Sequence, residues 1–159
     1  MLAGDALLTL AFSVMARAAA KYPHKAAAAL KAIEVLAGCA GPDGMIGGQV
    51  MDLAAEQAEI DGETLRQIDL LKTSALLNAA CQIGALLAGA PEAKLALVEQ
   101  YAKKLGLAFQ IVDDILDVTG DEQILGKPVG SDAKQKKNTY AGFYGIDGAK
   151  TMAEQLTDE

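Results

Sequence analysis

The chain has 159 residues, of which 52% are hydrophobic and only 4% aromatic, and it carries a net charge of −7. That length suits one domain, spanning 1–159, with a real core, and the acidic balance argues against a nucleic-acid partner, which demands a basic face. The start lacks a basic region and carries Asp5, unlike a secretory signal. No stretch is expected to reach the roughly twenty uncharged apolar residues of a membrane span, so a cytoplasmic location is the default.

Alanine and leucine supply most of the apolar content, and no run alternates apolar and polar residues as a strand does. The fold expected is all-α, an antiparallel helical bundle, with helices at roughly 5–20, 23–38, 44–59, 62–88, 91–119 and 147–158. Pro23 and Pro91 suit first helical turns, Asp61 and Asp147 suit N-caps, and Gly89 suits a C-terminal stop. Cys39 and Cys81 read as buried thiols, the single histidine, His24, as a surface residue, and Met15, Met45 and Met51 as core filling.

Three of these helices carry a short polar stripe inside an apolar one. Gln49, Asp52 and Glu56 fall at i, i+3 and i+7; Asp69, Lys72 and Thr73 at i, i+3 and i+4; Gln110, Asp113, Asp114 and Asp117 at i, i+3, i+4 and i+7. Three carboxylates so close repel one another, and Leu105, Leu107, Phe109, Ile111, Val112, Ile115, Leu116 and Val118 around them leave little room for a solvated edge. A site for a hard divalent ion relieves that repulsion. Between Gly120 and Ile146 runs the one long loop, which brings Lys127, Lys134, Lys136 and Lys137 near the aspartates. Carboxylates, Mg²⁺ and lysines together describe a diphosphate site in a polar cavity between helices.

In this order, Gly4-Asp-Ala-Leu-Leu8, Gly47-Gly-Gln49, Lys72-Thr73, Phe109-Gln-Ile-Val-Asp-Asp-Ile-Leu-Asp117, Gly126-Lys127 and Lys137-Asn-Thr-Tyr140 resemble the trans-isoprenyl diphosphate synthases, and most closely the short-chain farnesyl/geranylgeranyl diphosphate synthases. The resemblance implies an isoprenoid-synthase helical bundle and a prenyltransferase that condenses isopentenyl diphosphate with an allylic diphosphate, dimethylallyl or geranyl. It implies Mg²⁺ on Asp113, Asp114 and Asp117. The allylic diphosphate would lie on Lys72, Lys127 and Lys137, Thr73 and Gln110 would hold the ionising end, and Gln49 and Asp52 would line the cavity. A homodimer is implied too, with the apolar helix from Asp5 to Arg17 at its interface.

The family's first aspartate-rich motif lies upstream of the Gly-Asp-Ala-Leu-Leu segment, and further helices follow the region that ends here. The resemblance therefore covers the middle of a synthase, and this chain alone is expected to be inactive. The alternative is a noncatalytic or regulatory subunit that pairs with a full-length partner. A terpene cyclase of the same fold ranks lower, because the Asn-x-x-x-Ser/Thr-x-x-x-Glu triad is missing. A di-iron bundle lacks its Glu-x-x-His pairs.

Overall fold

A computed structural model describes residues 2–56, 58–121, 130 and 137–158, and every regular element among them is helical. Helix α1 (Leu2–Lys21) is followed by a 3-10 turn (Pro23–Lys25), α2 (Ala26–Ala40) and α3 (Met45–Ala55). Helix α4 (Gly62–Asp69) passes through a π-helical turn (Leu70–Ser74) straight into α5 (Ala75–Leu87), and α6 (Glu92–Thr119) and α7 (Tyr140–Asp158) complete the described elements.

Local chemistry sets the ends. The Asp61 carboxylate accepts from the Thr64 N–H at 2.8 Å and caps α4. At the end of α5 the N–H of Gly89 donates to Leu86 O and that of Ala90 to Ala85 O, each at 3.0 Å, a Schellman closure that needs the positive φ of Gly89. Pro23 opens the 3-10 turn, whereas Pro91 stands one place before α6 as an extended cap.

Two boundaries differ from the expectation. Helix α3 ends at Ala55 rather than near 59. Helix α7 has a helical stretch from Tyr140 ahead of the one expected at 147, because the Thr139 hydroxyl accepts from the Gly142 N–H at 3.1 Å and so caps a turn that the glycines made look like loop. Gly145, at φ 71° and ψ 166°, breaks this element into two helical stretches, and Asp147 stands two residues past the break, close to the expected helix start.

Helix α6 packs along α7 on one side and against α5 and the π turn on another, while α2 lies between α1 and α5. Two apolar clusters result. Leu65, Leu107, Ile111, Ile115, Tyr140 and Ala149 join α4, α6 and α7; Met15, Ala32, Leu36 and Ala79 join α1, α2 and α5. Met15 is therefore core, while Met45 and Met51 are half-buried, as are Cys39 and Cys81, and His24 is exposed.

The apolar company of the aspartates is less enclosed than its composition suggested: Leu105, Phe109, Val112 and Val118 face outward, Phe109 at 59% exposure, since α5 and α7 cover only part of the circumference of α6. The expectation of no span-length apolar segment is corrected as well. Leu2–Lys21 and Gly62–Leu87 are long and apolar enough to cross a membrane by length and composition, the second because the π turn makes α4 and α5 one continuous rod.

Candidate functional site

The three polar stripes converge. Asp52 from α3, Asp69 from α4 and Lys72 from the π turn face Gln110, Asp113 and Asp114 of α6 across a polar cavity of about 230 Å³. Lys137, Asn138 and Thr139, just before α7, close it. Helical spacing explains the convergence, since Asp69 and Lys72 are neighbours on one face, as are Gln110, Asp113 and Asp114.

Inside the cavity the polar groups are linked in sequence. Lys72 Nζ lies 2.6 Å from Asp52 Oδ2, both side chains partly buried. The Thr73 hydroxyl donates to Gln110 Oε1 at 3.2 Å, and Gln110 Nε2 donates to Asp114 Oδ1 at 3.0 Å. The Tyr140 N–H donates to Asp114 Oδ2 at 2.8 Å, which ties the start of α7 to the buried carboxylate. Asn138 Nδ2 donates to Ala55 O at 3.2 Å and fixes the neighbouring segment against the end of α3.

Asp69 is the anomalous group. Burial, the nearby Asp114 and Asp52, and only partial compensation by Lys72 push its carboxyl up to about 7. The Tyr140 hydroxyl is near enough to lower that value somewhat, yet neither Asp69 Oδ2 nor Tyr140 OH meets strict hydrogen-bond geometry with any partner among the described residues. The two groups are thus buried close together with their hydrogen-bonding capacity not fully used among the described residues. The phenol itself is held protonated, first by burial and then by Asp69 and Asp114, so it can serve only as a neutral group.

Most of the expected site residues meet here, with exceptions. Gln49 is exposed and does not line the cavity: Gly48, one residue earlier, is the position that turns inward, and Asp52 shares its face one turn on. Glu56 caps the end of α3 in the open. Asp117 is buried one turn beyond Asp113, outside the lining, where its backbone carbonyl accepts from the Gly130 N–H at 2.7 Å. Lys127, with Lys134 and Lys136, lies outside the described residues. Asn138, Thr139 and Tyr140 join the site without having been assigned a role beforehand; the Lys-Asn-Thr-Tyr run was the available signal.

The donor set suits a hard ion. Every carboxylate on the cavity wall offers oxygen, and Mg²⁺ is ordinarily held by one or two carboxylates with waters and phosphate oxygens. Among the described residues no three His, Cys, Asp or Glu side chains stand ready around a single point.

Comparison with known proteins agrees with this architecture. The sequence model of the polyprenyl synthetase family matches residues 1–159, and the chain belongs to that family. It is 43% identical to a geranylgeranyl diphosphate synthase of Cyanophora paradoxa and 42% identical to the farnesyl diphosphate synthase of Escherichia coli, matching over 100% of this chain and 53% of each relative. Among solved structures, a geranyltransferase from Helicobacter pylori complexed with magnesium and isoprenyl diphosphate superposes with a TM-score of 0.85 at 30% identity, covering 99% of this chain and 50% of that one. An FPP/GFPP synthase from Zymomonas mobilis gives 0.76 at 34%, again over 99% and 50%. The chain spans about half the length of the relatives it matches.

Proposed function

We propose that the protein is a prenyltransferase of the farnesyl/geranylgeranyl diphosphate synthase type, and that the cavity described above binds the diphosphate of its allylic substrate together with Mg²⁺. One observation carries the reading: four carboxylates and two lysines share one small cavity. A bare diphosphate would be repelled by that excess of negative charge, and a cation alone would leave the lysines opposed, so a metal diphosphate is the ligand that neutralises both sets.

Bound there, Mg²⁺ would be held by Asp113 and Asp114 and would draw off negative charge from the departing diphosphate. Lys72, aimed by Asp52, and Lys137 meet the same charge as the allylic C–O bond breaks and its electron pair leaves with the diphosphate. Gln110 is locked by Thr73 and Asp114, which keeps its amide fixed beside the ionising end. Attack by the double bond of isopentenyl diphosphate and loss of a proton then lengthen the chain by one isoprene unit. Lys127 belongs to the same diphosphate set in this reading. A homodimer through α1 and a cytoplasmic location complete it.

The test is incorporation of labelled isopentenyl diphosphate into dimethylallyl or geranyl diphosphate, with Mg²⁺ and with chelator, by the protein at its native length. Metal-dependent product supports the reading; no product under any metal condition contradicts it.

A further inference from the structure

Lys72 and Thr73 do not sit on an ordinary helix but in the π turn Leu70–Ser74, where one extra residue is accommodated in the rod. Such a turn persists only if its surroundings hold it. Its two sides are gripped in the same manner. On α3, a Cβ added at Gly48 would lie nearest Lys72 N and only 2.7 Å from Lys72 Cα, while Asp52, one turn on, holds the Lys72 ammonium. On α6, a Cβ at Gly106 would lie 2.5 Å from Ser74 Cβ and 2.6 Å from Ser74 Cα, while Gln110, one turn on, holds the Thr73 hydroxyl. The Gly48 contacts are with backbone, which cannot swing aside, and at Gly106 the buried Ser74 side chain is met together with its Cα, so the turn itself would have to shift. Ser74 is fully buried, and its hydroxyl has no partner among the described residues, so Gly106 meets it by close approach alone.

Resting on the diphosphate reading, we infer that Gly48 and Gly106 are positioning residues: each fixes the backbone of the π turn while the polar residue four places later fixes the side chain the turn presents. The glycine and its partner form one device on each flanking helix, and the pair sets where Lys72 and Thr73 stand in the cavity. A misplacement of about 1 Å at such a group costs on the order of 100-fold in related catalytic settings.

The probe is inorganic pyrophosphate with Mg²⁺, titrated calorimetrically into the protein and its variants, with far-UV circular dichroism to confirm helicity. Gly48→Ala, folded, is expected to bind about 10-fold or more weakly, and Gly48→Ala combined with Lys72→Ala to bind no more weakly than Lys72→Ala alone. Gly84→Ala, on α5 with nothing within 4 Å of the added carbon, is the control and should bind as the parent does. Unchanged binding by Gly48→Ala, or a loss that adds in full to that of Lys72→Ala, overturns the inference. If Gly48→Ala does not fold, Gly106→Ala in a Ser74→Ala background removes the nearest side-chain obstruction and must show the same non-additivity with Thr73→Ala; additivity there overturns it equally. A parent protein that ignores Mg²⁺-pyrophosphate removes the diphosphate reading itself, and the clamp's role with it.

Discussion

Removed from water and set beside Asp114 and Asp52, the Asp69 carboxyl holds its proton up to about pH 7, against 3.8 for the free side chain. Between those values the native state keeps a proton that the unfolded chain has lost, so this group's contribution to stability is complete at low pH and falls as pH rises through the window. Asp69→Asn should therefore flatten the decline in metal-free protein. At pH 8 the variant should be more stable than the parent by on the order of a few kcal/mol, read from urea midpoints at pH 5 and pH 8; parallel declines in both proteins would contradict the assignment. For ligand binding, Lys72→Ala removes a charge-assisted donor and leaves Asp52 without its cation. The expected loss is about 10-fold or more in affinity for Mg²⁺-pyrophosphate. Asp113→Ala should weaken the same binding far more than Glu56→Ala, which lies in the open at the end of α3; equal effects would remove Asp113 from the metal. The polar stripes were readable as stripes because carboxylates interrupt apolar periodicity. Gln49, three residues before Asp52 on the same helix, is exposed and outside the lining, because the order of residues in a stripe does not say how far a cavity's edge extends along it.

Helix ends followed from the chemistry of single residues wherever the cap was a familiar one, as at Asp61 and Gly89. Gly89→Ala should lower stability by about 1 kcal/mol, because an L side chain resists positive φ, whereas Gly84→Ala, inside α5 and unobstructed, should raise it slightly. Thermal melts of the two variants moving in the same direction would contradict this account of the α5 terminus. Two features of the elements were not readable. The π turn adds one residue to a run whose apolar pattern continues from Gly62 to Leu87, so periodicity alone sees a single helix. The start of α7 depends on Thr139 as a cap and on Tyr140 being drawn into the core, both tertiary facts that the glycine-rich sequence around them conceals.

At the scale of the molecule, the apolar content that announced a bundle is not all used within the chain. Leu7, Leu10 and Val14 of α1 stand exposed beside Leu36, Leu76 and Ile83 along a groove of about 540 Å³, and Leu97, Tyr101 and Phe109 are exposed on α6. A sequence shows that a helix has apolar faces but not which neighbour covers them, and so the bundle was legible while its surface was not. If α1 forms the interface of a homodimer, light scattering should give a mass rising with concentration toward twice the monomer, and Leu7→Glu with Val14→Glu should hold the protein monomeric without loss of helicity. Identical masses for parent and variant would place the interface elsewhere or remove it. The measurement that bears most directly on the whole account is a calorimetric titration of pyrophosphate into the protein with and without Mg²⁺. Saturable binding that requires the metal and is lost in Asp113→Ala is the expected result; binding that is indifferent to Mg²⁺, or no binding in its presence, would contradict the diphosphate site.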